Sequence, residues 1–161
     1  MKLNNFDLIT FDLENKEHLT LLERTIKSNG SELISGDIKR FVERNIELNK
    51  KDNITNCYII ENNNSFIGLA FLNYHPEEKR DEKILSEEIE IGLGILPEFR
   101  GKHLGSQFEK EFSEYLLNKY SQFNEVVARI DNNNLKSINA VKKAGFEHIE
   151  DEEYHFKRFK K

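Results

Sequence analysis

The residues best suited to chemistry lie in one stretch, Glu90-Ile91-Gly92-Leu93-Gly94-Ile95-Leu96-Pro97-Glu98-Phe99-Arg100-Gly101-Lys102-His103-Leu104-Gly105-Ser106. An apolar strand runs out at Pro97, which cannot donate to a sheet ladder. A cationic, glycine-bearing turn follows, and a helix is predicted to start around Lys102–Gly105. Such a junction aims unpaired backbone N–H groups and the positive end of a helix dipole at one point, to which Arg100 and Lys102 add charge. The segment reads either as a site for a phosphate or pyrophosphate, or as an ordinary strand–turn–helix connection carrying surface charges. Two standard phosphate loops are excluded. A P-loop needs Gly-Lys-Ser/Thr after four spacers, but three residues separate Gly101 from Gly105 and Ser106 follows. A dinucleotide fingerprint starting at Gly92-Leu93-Gly94 would need a third glycine where Pro97 stands.

The elements that must position this stretch can be read from periodicity and turn signals. A strand is predicted over Phe6–Leu13, then helices over Lys16–Lys27 and Asp37–Asn49, with Ser28-Asn29-Gly30-Ser31 stopping the first. Asn56–Glu61 and Ser65–Tyr74 form a hairpin around Asn62-Asn63-Asn64, since Asn tolerates the left-handed conformation. Pro76–Lys83 is almost all charge and reads as a solvated loop. A strand over Glu87–Leu96 precedes a long helix over His103–Tyr120, with Phe108, Phe112, Tyr115 and Leu116 at helical spacing. Then come a strand over Glu125–Asp131, a helix over Asn134–Ala144 closed by Gly145, and strands over Phe146–Ile149 and Glu153–Phe159. This order predicts an α/β (α+β) fold: a mixed, mostly antiparallel central sheet of six to seven strands, flanked by about four helices.

The chain has 161 residues, which fits a single domain over 1–161. At 37% hydrophobic residues with 12 Phe, it can build a real core, so wholesale disorder is excluded. No run approaches the length of a membrane span, and the N-terminus lacks a secretory h-region. The net charge of −5 argues against nucleic-acid or anionic-membrane partners. The basic tail Lys157-Arg158-Phe159-Lys160-Lys161 reads as a solvated strand edge. Cys57, alone in an apolar run, reads as a small buried hydrophobe rather than a nucleophile. A cytoplasmic location is the expectation. His18, His75, His103, His148 and His155 show no metal-ligand spacing, so no metal site is predicted.

Arg100-Gly101-Lys102-His103-Leu104-Gly105 resembles the R/Q-x-x-G-x-G/A signature of the GNAT superfamily of N-acetyltransferases. Asn134-x-x-Ser137, with Gly145-Phe146 ending the helix, resembles that superfamily's later N-x-x-S/A…G-F block. The resemblance implies a GNAT-like fold and transfer of an acetyl group from acetyl-CoA to a primary amine of a small molecule or a protein N-terminus. It also implies where the donor binds. Backbone N–H groups of Arg100, Gly101, Lys102, His103, Leu104, Gly105 and Ser106 would hold the pyrophosphate. The backbone of Leu93, Gly94 and Ile95 would pair with the pantetheine arm like an added strand. Asn134 would bond that arm, and Ser137 would lie beside it.

Two departures from the signature matter. His103 stands where the motif has glycine; in a helical conformation it keeps its N–H, with its ring pointing outward. Val141 stands where many members carry a tyrosine that protonates the departing thiolate. Ser137 and Tyr154 are the alternative donors, and unaided departure or inactivity stay open. The amine must also lose a proton to attack, which requires a base or a water chain. Glu88 and Glu90 alternate onto one strand face, where paired carboxylates can hold a cationic amine and relay its proton; the competing reading is a solvated sheet face. Glu90 and Ser137 are therefore the catalytic candidates. A backbone N–H near Leu93–Ile95 would take the oxyanion, with Gly92 and Gly94 permitting a bulge. No positioned nucleophile is evident, so direct transfer is expected. A non-catalytic acyl-CoA-binding or interaction module is the alternative, and a homodimeric state is left open.

Overall fold

The computed structural model describes residues 1–28, 35–76, 78–80, 83–85, 87–149 and 155–159. In chain order these form β1 (Asp7–Thr10), α1 (Lys16–Ser28), α2 (Ser35–Asp52), β2 (Asn56–Asn62), β3 (Ser65–His75), β4 (Glu78–Arg80), β5 (Lys83–Leu85) and β6 (Glu88–Ile95). Then follow a 3₁₀ turn (Pro97–Phe99), α3 (Leu104–Lys119), β7 (Glu125–Arg129), α4 (Leu135–Lys143), β8 (Glu147–His148) and β9 (His155–Phe159).

Seven strands make one sheet in the order β1-β2-β3-β6-β7-β9-β8. Every pairing is antiparallel except β6–β7, which is parallel and therefore needs the α3 crossover. This is the mixed, mostly antiparallel sheet that the element order predicts. Two details differ from the sequence reading. The charged stretch after Pro76 is not loop throughout: β4 and β5 pair as a separate two-stranded sheet. The turn after Leu96 contains the unpredicted 3₁₀ segment.

The sheet separates two apolar cores. On one face Ile89, Ile91, Val126 and Ala128 pack with Phe108 and Phe112 of α3 and Val141 of α4. On the other, Cys57, Ile59 and Leu69 pack with Leu21, Leu22 and Val42 of α1 and α2. Phe108 and Phe112 are almost wholly buried, each worth about 1.5–3 kcal/mol over exposure. They clamp α3 to the sheet and so fix where its N-terminus points. The end of α4 is set by Gly145 at φ 90°, with Gly145 N–H bonded to Lys142 O and Phe146 N–H to Val141 O. Arg158 from β9 donates to Ala144 O at that same helix end and pairs with Glu114. Three of the remaining left-handed residues, Asn53, Asn63 and Asn64, are asparagines in turns.

Candidate active site

The parallel pairing of β6 with β7 is short. It spans Ile89↔Val126 and Glu90↔Val127 and then stops, so the strands part after Glu90. On the other side, β6 stays paired to β3 without a break from His75↔Glu88 to Gly68↔Ile95. The bulge expected at Gly92–Ile95 is thus not found against β3; the one irregularity in the neighbouring ladder lies at Ile60/Glu61.

Strand alternation decides which β6 groups face the open fork. Leu96 N–H bonds to Ile67 O of β3. Gly94, two residues back, points its main-chain groups the same way, while Leu93 and Ile95 point theirs into the fork. The Ile95 carbonyl is taken by Arg100 Nε at 2.8 Å. The N–H of Ile95 and both groups of Leu93 are left for a strand-like ligand.

The fork opens into a cleft of about 1080 Å³ between the N-termini of α3 and α4. Leu93 and Ile95 form its floor, Gly101 and His103–Ser106 one wall, and Asn134, Ser137 and Ala140 the other. At Gly105, α3 packs over β6 with ordinary spacing: a Cβ built there would be 3.5 Å from Leu93 Cδ2. The first main-chain bond of α3 runs from Gln107 N–H to His103 O at 3.1 Å. The N–H groups of Leu104, Gly105 and Ser106 therefore have no carbonyl partner within the helix. They sit at the positive end of a 16-residue helix dipole, an arrangement suited to an anion.

Arg100 contributes differently from expectation. Its N–H closes the 3₁₀ turn onto Pro97 O, and its guanidinium bonds Ser28 O and Oγ at 3.1 and 3.0 Å. Its charge ties the turn to the C-terminal end of α1, and its N–H is engaged, so of the turn amides expected to face an anion, that of Arg100 is not free to do so. Lys102 Nζ lies 5.3 Å from the centroid of the Phe99 ring.

His103 is not helical. It caps α3 at φ 60°, ψ 6°, in the left-handed region where the motif's glycine is at ease. That conformation costs a non-glycine residue about 1–2 kcal/mol. Glycine in turn loses more backbone entropy on folding. His103→Gly is therefore expected to stabilise the fold by about 0.5–1 kcal/mol, read as a higher urea midpoint. A lower midpoint would mean that the ring makes contacts worth more than the strain.

On α4, Asn134 Oδ1 accepts from Ser137 N–H at 3.2 Å and caps the helix. Its amide N–H donors remain for a ligand carbonyl, beside the Ser137 hydroxyl. Val141 is fully buried in the core and is not part of the cleft wall. Tyr154 lies outside the described residues.

Glu88 and Glu90 project from the opposite face of β6, the face that carries Leu69 and Phe71 of β3. Sequence reasoning missed their partners. Arg129 of β7 bonds Glu88 and, at 2.5 Å, Glu90 Oε2. His75 of β3 meets the same Glu90 oxygen at 2.8 Å. Burial pushes the Glu90 carboxyl up, but the His75 bond and the Arg129 charge outweigh it and hold it below the ordinary carboxylate range. Glu90 is ionised at neutral pH. His75, half-exposed, links it to solvent. The signal for His75 was its place in the β3 alternation, opposite Glu88 and diagonal to Glu90.

Cys57 faces the α1–α2 core, and burial pushes its thiol up to about 12. It is inert as a nucleophile at neutral pH. Among the described residues, no group of three or more His, Cys, Asp or Glu is placed to hold a metal, and no helix is long and apolar enough to cross a membrane.

The mixed α/β fold thus frames a cleft that ends in helix amides, is floored by strand groups facing the fork and reaches a gap in the sheet with carboxylates beyond it, a shape and polarity suited to an extended, phosphate-ended ligand. The family model described as the acetyltransferase (GNAT) domain matches residues 11–147, and the chain belongs to that family. A search of the curated proteins returned no match. Solved structures share the fold. Ribosomal L7/L12 alpha-N-protein acetyltransferase RimL in complex with coenzyme A superposes with a TM-score of 0.67 at 14% identity, covering 98% of both chains. Aminoglycoside acetyltransferase AAC(6')-Ib with coenzyme A gives 0.68 at 19% identity, covering 96% of this chain and 94% of the other. Campylobacter jejuni N-acetyltransferase PseH with acetyl coenzyme A gives 0.63 at 16%, covering 97% and 99%.

Proposed function

We propose that this acetyltransferase moves the acetyl group of acetyl-CoA directly onto a primary amine that approaches from the α1–α2 face of the sheet. One observation carries the reading: the donor cleft and the Glu88–Glu90–Arg129–His75 cluster lie on opposite faces of β6 and meet at the gap left where β7 diverges. A thioester in the cleft and an amine beside Glu90 can react through that gap with no enzyme-bound acyl stage. The inert Cys57 agrees with this.

The residues then divide the work. The N–H groups of Gly101–Ser106 hold the diphosphate, and those of Leu93 and Ile95 hold the pantetheine arm and polarise the thioester carbonyl. Asn134 and Ser137 bond the arm from α4, and the Ser137 hydroxyl donates toward the departing thiolate. Glu90 Oε2 is occupied by Arg129 and His75, which leaves Oε1 to accept from the incoming ammonium. His75 carries the released proton to solvent.

Glu90→Gln keeps the shape but removes the charge that draws the ammonium and orients His75. Turnover is expected to fall about a hundredfold, the scale of one acid–base group, with acetyl-CoA affinity unchanged. Equal turnover would remove Glu90 from the mechanism. The activity itself is tested by thiol release from acetyl-CoA with a panel of peptide N-termini, polyamines, aminoglycosides and amino sugars. Val141, buried where a tyrosine hydroxyl would serve, favours the second reading of a non-catalytic acyl-CoA-binding module. Tight acetyl-CoA binding with no amine-dependent thiol release would select it.

A further inference from the structure

Glu109 lies on α3 four residues after Gly105, on the same side of the helix. It forms part of the donor-cleft wall, yet the residue is only 6% exposed. Its Oε2 has no hydrogen-bond partner. Leaving such an atom unpaired in a folded protein is costly, and an apolar side chain of similar size would avoid the cost. A buried, unpartnered oxygen on a residue of the cleft wall calls for a partner, and a ligand in the cleft is one that can supply it.

Its level along the helix says which part of the ligand. At 1.5 Å per residue, Glu109 is about 6 Å further along the axis than Gly105. A diphosphate held by the N–H groups of Gly105 and Ser106 therefore leaves the pantetheine arm, not the phosphates, beside Glu109. We infer that Glu109 is a pantetheine-binding residue, whose carboxylic acid donates a hydrogen bond to a carbonyl or hydroxyl of that arm. This rests on the acetyl-CoA reading above.

The protonation state follows from the surroundings. Burial pushes the Glu109 carboxyl up to about 8. The charged and titratable groups sharing the cleft are Arg100 and His103 from the turn, Asp131 before α4, and Lys136 and Lys143 on α4, all exposed at the rim. Leu93 and Ile95 present apolar side chains from the sheet. Glu109 is thus a neutral donor at pH 7. Ionisation above pH 8 removes the donor that the pantetheine arm would accept from.

Calorimetry at about pH 7 and about pH 9 tests this, with acetyl-CoA and with adenosine 3′-phosphate 5′-diphosphate, the same nucleotide without the arm. Wild-type affinity for acetyl-CoA is expected to fall about tenfold between the two pH values. Glu109→Gln, which keeps a donor and cannot ionise, should show no such fall. Glu109→Leu should bind acetyl-CoA about tenfold more weakly at pH 7 while unfolding at the same or a higher temperature. The nucleotide should respond to neither substitution. Wild-type and Glu109→Leu proteins with equal acetyl-CoA affinity, or a nucleotide that tracks the acetyl-CoA changes, would overturn the inference alone. A wild-type protein that binds neither ligand would overturn the donor site and the inference together.

Discussion

Gly105→Glu is expected to abolish acetyl-CoA binding and leave the fold standing. Gly105 packs against Leu93 and Ile95 at the mouth of α3, with its Cβ position 3.5 Å from Leu93 Cδ2 and 3.8 Å from Ile95 Cγ1. A Cβ alone meets only ordinary contacts there, so Gly105→Ala should be tolerated. A glutamate has further atoms to place. The floor residues block one direction, and the other leads into the cleft where the helix amides converge. Its carboxylate then competes for those amides and repels the diphosphate. One charge pair at about 4 Å and an effective dielectric near 20 is worth about 4 kcal/mol, or about a thousandfold in affinity. The measurement is calorimetric affinity for acetyl-CoA beside a thermal melt. Loss of binding with a melting temperature near wild type would support the amide grip at Gly101–Ser106. Affinity within tenfold of wild type would move the diphosphate elsewhere and take the donor site with it.

That turn was legible because its residues are chemically unusual in sequence. A proline ending a strand, two glycines and a helix start admit few backbone paths. What the turn does with Arg100 was not legible. The same cation can face an anion or hold the chain end of α1, and only the three-dimensional position of Ser28 decides. His103 shows a similar limit. Its conformation is imposed by the turn geometry around it, not by its own preference. Glu109 could have been found. It follows Gly105 at helical spacing and stands next to the Phe108–Phe112 stripe, which places an acid beside the apolar face. The pairing of β4 with β5 had no comparable signal, since a short charged hairpin carries no apolar alternation to read. His75 and Arg129 required the strand register, which brings residues 39 and 15 positions from Glu90 to a single carboxylate oxygen.

The same register makes Gly68→Ala the substitution expected to cost the fold most. Gly68 sits opposite Ile95 at the end of the β3–β6 ladder, where Leu96 N–H bonds Ile67 O. A Cβ there would lie 2.1 Å from Gly94 O and 3.1 Å from Ile95 Cα. Both obstacles are main chain, so no rotamer change can relieve the overlap. Either β6 moves by about an ångström or the ladder opens, and central strands do neither cheaply. Overpacking of this kind costs about 3 kcal/mol, which for a domain of this size lowers the melting temperature by about 6–12 °C. The displaced segment, Leu93–Ile95, is the cleft floor, so the effect should reach function. At temperatures where the variant is folded, acetyl-CoA affinity should fall, while the Arg129–Glu90 pair, at the fixed end of the β6–β7 pairing, stays in place. Melting and calorimetry on the one variant read both effects. A melting temperature within 2 °C of wild type would show that β6 yields freely there, and the floor could not then be the rigid strand template on which the pantetheine arm is held.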